Sequence, residues 1–205
     1  VARPLGPIKG QILDAAERLF AEHGFDGVSL RNIASAASTT QALVSYHFGS
    51  KLDLYRAMWG RWWEGPPGAP EPLPHTDRYQ NLEHIVRSFF AGPIAFSRDP
   101  RGAQILTILG RELYDPKAAE RGLLARYLDP SEEIFIGSLK QVLPEKDDLQ
   151  IAVMHRIIVA SGHALMFQYL SAHRPVDLII SKNLEAAVDE AVDFILGAFW
   201  KLIHA

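Results

Sequence analysis

Cysteine is absent from all 205 residues. That excludes a disulfide framework, a thiolate metal site, a cysteine nucleophile and an iron–sulfur cluster. The chain needs no oxidising compartment, which fits a cytoplasmic protein. No apolar run approaches the roughly 20 residues that cross a bilayer. The stretch Val1–Pro7 holds no hydrophobic signal core. Positive charge is not in excess either: the formal net charge is −3. The sum hides an uneven distribution. Residues 1–61 carry seven Lys/Arg against five Asp/Glu, a net of +2, so the remainder carries fourteen against nineteen, a net of −5. A basic N-terminal surface on an acidic body is compatible with nucleic-acid binding. Enzyme signatures are missing as well: no H-E-x-x-H, G-x-S-x-G, G-x-x-x-x-G-K-[ST] or G-x-G-x-x-G occurs. Paired Glu-x-x-His motifs for a di-iron bundle are also absent.

Helical periodicity is what the sequence does have. Ile12, Leu13, Ala16, Leu19 and Phe20 recur three and four apart, which predicts a helix near 8–23 with Gly24 as its stop. Ser29 reads as the N-cap of a short helix through Ile33 and Ala34. Ser38-Thr39-Thr40 breaks that helix and caps another over 41–47. Gly49 ends this one, and Ser50 caps a helix near 51–63. Five prolines between Pro66 and Pro74 make 64–77 a loop, because proline lacks the amide a helix needs. Further helical patterns cover 78–97 and 101–113, a helix starting at Asp115-Pro116, and then 131–143, 149–172 and 183–203. The alternation of a sheet is missing, so the fold class is all-α.

Two short helices about a tight turn, at 29–37 and 41–47, fit a helix-turn-helix. The second must be short, polar on one side and braced on the other to enter a major groove about 12 Å wide. Thr40, Gln41, Ser45, Tyr46 and His47 supply hydrogen-bonding groups there, and Leu43 and Phe48 anchor the inner side. Arg31 lies early in the preceding helix, within reach of backbone phosphate. Lys51, in the first turn of the following helix, is placed to hold a phosphate with the free amides. Arg3 and Lys9 form a candidate basic arm.

These residues resemble the TetR family of bacterial transcriptional regulators. The matching strings are Ile12-Leu13-Asp14-Ala15-Ala16, Leu19-Phe20, Gly24-Phe25, Val28 to Ala34, Ala37, Tyr46-His47-Phe48-Gly49-Ser50-Lys51 and Leu54-Tyr55. They cover roughly residues 8–60, under a third of the chain. The resemblance implies an N-terminal three-helix DNA-binding domain, 1–63 with its connecting helix. After the 64–77 loop it implies a larger helical domain, 78–205, that dimerises and holds a small-molecule effector. It also implies a homodimer on a palindromic double-stranded operator, repressing until the effector releases it. Two departures stand out. The family usually has Gly-Val-Ser where this chain has Ser38-Thr39-Thr40, and a turn glycine serves a left-handed backbone. It often has an aromatic at Ser45. A helical protein–protein adaptor without DNA binding is the alternative reading.

Beyond the loop, Phe89, Phe90, Phe96, Phe135, Met166, Phe167 and Tyr169 are candidate lining for an apolar or aromatic effector, with Arg111, His84 and His163 as polar groups. His155 and His163 lie about 12 Å apart along one helix, too far to share a metal. No metal or cofactor is expected. The final helix carries a broad apolar stripe, Val188, Ala191, Phe194, Ile195, Ala198 and Phe199, which the family resemblance assigns to dimerisation.

Overall fold

The computed structural model of the chain describes residues 6–62, 73–170 and 182–203, with side chains at all of these except 92–93, 95–97, 166–170 and 201–203. Every regular element among the described residues is a helix. In order they are α1 (Pro7–His23), α2 (Leu30–Ala36), α3 (Gln41–Phe48), α4 (Lys51–Trp62), α5 (Arg78–Ser97) and α6 (Pro100–Tyr114). Then come α7 (Ala118–Arg121), α8 (Leu123–Tyr127), α9 (Asp129–Val142), α10 (Asp148–Leu170) and α11 (Leu184–Ile203). The chain divides into two compact units. One combines Val1–Pro66 with Thr107–Leu128, the other Pro67–Leu106 with Asp129–Ala205. Helix α6 is therefore shared along its length, its last two turns belonging to the first unit.

The first unit is built on the stripe read from α1. Ile12, Leu13, Ala16 and Phe20 are buried, and they meet Ile33 of α2, Val44 of α3, and Leu54, Met58 and Trp59 of α4. Ile108 and Leu123 close this core from α6 and α8. Burying one such aliphatic or aromatic side chain contributes about 1.5–3 kcal/mol. Phe20 and Tyr55 meet edge to face at 4.8 Å between centroids.

The second unit packs α5, α9, α10 and α11 on one another. Its core holds Leu82, Val86 and Phe90 of α5, Leu139 of α9, Ile151, Met154 and Ile158 of α10, and Val192, Ile195 and Leu196 of α11. One expectation needs correction. The helix expected to start at Asp115-Pro116 begins only at Ala118. The Asp115 carboxylate accepts from the Lys117 amide at 2.9 Å, which turns the chain first. Gly122, at φ 66°, then ends α7 after four residues and starts α8.

Candidate nucleic-acid interface

The sequence of caps explains why α2, α3 and α4 lie where they do. Ser29 Oγ accepts from the Asn32 amide at 3.1 Å, and Asn32 Oδ1 accepts from the Ser29 amide at 3.0 Å. This reciprocal box fixes the start of α2. Thr40 Oγ1 accepts from the Leu43 amide at 3.2 Å and starts α3. Ser50 and Asp53 form a second reciprocal box at the start of α4, with bonds of 3.1 and 3.3 Å. The Ser50 hydroxyl and amide, donating to Asp53, hold its carboxyl below the ordinary value.

The turn between α2 and α3 follows a Schellman pattern. The Ser38 amide donates to Ser35 O at 3.1 Å and the Thr39 amide to Ala34 O at 2.9 Å. That closure needs a left-handed residue after the cap, and Ser38 takes it at φ 51°. The backbone reason for the family's turn glycine is thus present, and serine bears the strain. Gly49, at φ 76°, ends α3.

Helix α3 turns Val44 fully inward. Of the expected inner anchors, Phe48 is half-buried and packs against the first core, while Leu43 is half-buried and absent from that core; Val44 is the fully buried anchor. Gln41, Ala42 and Tyr46 face out, and Tyr46 is 81 % exposed. Ser45 and His47 are half-buried. The His47 ring meets Tyr46 at 5.2 Å and Phe48 at 6.4 Å between centroids. Arg31 and Thr40 are exposed, Thr40 serving also as the cap. An exposed tyrosine and an exposed glutamine, on a short helix held at both ends, leave a phenol hydroxyl and a side-chain amide open to hydrogen-bonding.

Lys51, expected at a phosphate, bonds within the chain. Its ammonium is half-buried and donates to Phe25 O at 2.9 Å and Val28 O at 3.0 Å. Arg111 is also corrected. It belongs to the first unit, where its guanidinium donates to Phe20 O at 3.4 Å and Glu22 O at 3.1 Å. A cation on carbonyls of the last turn of α1 opposes the negative helix terminus. Arg111, expected as a polar group of an effector site in the larger helical domain, thus lies in the first unit and holds the end of α1.

Sequence reading missed a buried ionic cluster in this unit. Glu112 and Arg121 are 2 % and 5 % exposed, and Arg121 Nε donates to both Glu112 oxygens at 2.8 and 3.0 Å. Tyr55 donates to Glu112 at 3.2 Å, and Arg121 reaches Asp115 at 2.5 Å. Burial first, and the Glu112 charge second, push the Tyr55 hydroxyl far above its ordinary value. Nothing in the spacing of 55, 112 and 121 announces this cluster.

In the second unit, Phe89 rests edge-on against Phe90 and tilted against Phe135, at 5.6 and 5.4 Å. His155, 3 % exposed, meets Phe135 at 5.2 Å. His163 is half-buried and His84 exposed. The side chains of Phe96, Met166, Phe167 and Tyr169, together with Arg3, Trp63 and most of the proline loop, lie outside the described residues. The stripe on α11 splits in two. Val188, Ile195 and Phe199, expected at a dimer contact, pack instead in this unit's own core, because they lie on the side of α11 that meets α5 and α10. Ala191 is half-buried, and Phe194 and Ala198 face out. Helix α10 adds Leu149, Val153 and Ile157, four apart and exposed. An apolar recess of about 340 Å³ on that helix is lined by Ala152, Val153, Arg156, Ile157 and Ala160. No described helix is long and apolar enough to cross a membrane.

A family model described as bacterial regulatory proteins, tetR family, matches residues 12–58. A second, described as a tetracyclin repressor-like C-terminal domain, matches residues 87–198. The probable HTH-type transcriptional regulator YttP of Bacillus subtilis is 24% identical over 162 residues, covering 79% of this chain and 77% of that protein. The HTH-type transcriptional repressor BepR of Brucella suis is 26% identical over 180 residues, covering 82% and 83%. Among solved structures, the fatty acid degradation regulator FadR from Bacillus halodurans matches with a TM-score of 0.63 over 95% of this chain and 97% of that one, at 18% identity.

Proposed function

The chain belongs to the TetR family of DNA-binding transcriptional regulators, and from that premise we propose that it is a repressor which grips an inverted-repeat operator as a homodimer and lets go when a small molecule binds. The observation that carries this reading is the 81 % exposure of Tyr46 on the short, doubly capped α3. That exposure leaves the Tyr46 hydroxyl, beside the exposed Gln41, free to hydrogen-bond a partner that lies along α3. Gln41 and Ser45 read base edges in the major groove. Tyr46, His47, Thr40 and Arg31 fix the register on the phosphates. The repressor assignment is supported by the name of BepR. Dimerisation uses Phe194 and Ala198 on α11 together with Leu149, Val153 and Ile157 on α10. The effector is apolar or aromatic and binds in the second unit, near Phe89 and His163.

The test is selection of genomic duplex fragments by the purified chain at two salt concentrations, beside Gln41→Ala/Tyr46→Ala. Enrichment of one inverted repeat, lost in the variant and weakened steeply by salt, is the expected result. A folded dimer that enriches nothing at either salt would overturn the reading and favour the protein–protein adaptor.

A further inference from the structure

We propose that Lys51 is a positioning residue of the reading head, and that it does not neutralise a DNA phosphate; this rests on the DNA-binding reading above. The two carbonyls that take its ammonium, Phe25 O and Val28 O, belong to the turn between α1 and α2. The Phe25 ring lies under the same ammonium, 4.3 Å from centroid to Nζ. That ring is itself held. It stacks on Phe20 at 5.9 Å, leans on Tyr55 at 5.0 Å, and has the Arg121 guanidinium 5.2 Å from its centroid. Arg121 in turn is locked to Glu112.

Helix electrostatics explains why the lysine points this way. The first turn of a helix is its positive end and disfavours a cation. Two carbonyl oxygens and a ring face offset that at Lys51. The consequence falls on α3. Lys51 follows Phe48 by three residues, across Gly49 and Ser50, so it pins the exit of α3 to the α1–α2 turn. Val44 is the single fully buried side chain of α3. Thr40 and Gly49 close the two ends of this two-turn helix and Phe48 packs beside Val44; the Lys51 brace ties its exit to the α1–α2 turn and so fixes the direction in which α3 points. Reaching a phosphate with the full ammonium would mean abandoning both carbonyls and the ring.

The experiment titrates the wild type, Lys51→Met and Phe25→Leu against the genomic duplex that the chain enriches and against a shuffled duplex of equal length, over a series of salt concentrations. Positioning predicts that both variants lose about tenfold or more of their preference for the enriched duplex. The slope of log affinity on log salt stays at the wild-type value. A phosphate contact predicts the opposite pattern. Lys51→Met alone then flattens the slope by about 0.9 per subunit, and Phe25→Leu, which keeps every charge, leaves the preference intact. That result overturns the inference. Folded variants that bind both duplexes as the wild type does overturn it too, because Lys51 would then only stabilise the unit. If Lys51→Met does not fold, Lys51→Arg decides, because it keeps the charge and changes the fit to the two carbonyls: lost preference at an unchanged slope supports positioning, and wild-type preference overturns it. A wild-type chain that retains no duplex defeats the DNA-binding reading first, which keeps the two failures apart.

Discussion

Ser38 holds the left-handed position that closes α2, at φ 51°. A side chain there costs about 1 kcal/mol relative to glycine, because Cβ crowds the following carbonyl. Ser38→Gly should therefore raise stability by up to about 1 kcal/mol, offset in part by the greater freedom of glycine in the unfolded chain. Chemical denaturation reads this as a higher midpoint with an unchanged slope; a lower midpoint would mean the serine has a compensating contact. Buried His155 and half-buried His163 give a second residue-scale prediction. Burial lowers the His155 imidazole, outweighing the Glu132 carboxylate 3.4 Å from Nδ1, with Arg156 lowering it further. His163 is lowered by burial and then by Arg156. Their folded pKa values lie below the unfolded value, about 6.5. Between the two, the unfolded chain binds more protons, so stability falls as pH falls. This contribution is complete above the unfolded value and is lost on acidification toward the folded ones. Denaturation midpoints at pH 7.5 and pH 5.5 should differ, and His155→Gln/His163→Gln should shrink the difference. The lowered carboxyls, Asp53, Asp115, Glu145 and Asp148, act in a separate window, withdrawing stability only below their ordinary range.

Helices offer a pair of glycines whose replacement should act in opposite directions. Alanine is favoured over glycine in a helix interior by about 0.8–1.0 kcal/mol. At Gly137 of α9 an added Cβ meets nothing within 4 Å, so Gly137→Ala should stabilise by about that amount. At Gly162 of α10 it would stand 2.6 Å from the Phe89 ring. That ring is wedged between Phe90 and Phe135. Gly162→Ala should therefore lose about 1–3 kcal/mol despite the better propensity. Thermal melts of the two variants check the pair, and equal shifts would refute the packing argument. The same contrast shows what was legible in the sequence. Periodicity and caps are local, and they placed α1 to α4 to within a residue or so: Ser29, Thr40 and Ser50 each make the bond their position demands. The left-handed turn at Ser38 was legible for the same reason. What stayed hidden depends on contacts distant in sequence. A lysine in a first turn looks solvated until the Phe25 and Val28 carbonyls come under it. Helix α10 is apolar nearly all round, so spacing could not separate Ile151 and Met154, buried in the core, from Leu149 and Val153 in water. The α11 stripe was broader than any one interface, and its inner half went to the unit's own core.

The charge asymmetry and the exposed stripe concern the molecule as a whole. An acidic chain that reads DNA must concentrate its contacts, since non-specific attraction scales with the phosphates neutralised. With few cations on α3, a single head binds weakly. Pairing two heads makes the second contact intramolecular and multiplies affinity by about 10² to 10⁴. Two heads must then sit about one duplex turn apart, roughly 34–36 Å. On the proposed reading, dimerisation is therefore the energetic condition for operator binding. Phe194 is 78 % exposed and Ile157 43 % exposed, so neither supports its own unit's core. Phe194→Glu/Ile157→Glu should leave helix content and melting of the unit nearly intact while turning the dimer into a monomer in sedimentation. Operator affinity should fall by about a hundredfold or more, with binding to a shuffled duplex much less affected. A variant that stays dimeric would remove α10 and α11 from the interface. One that turns monomeric yet keeps full operator affinity would show that a single reading head suffices, and would undo the argument from charge.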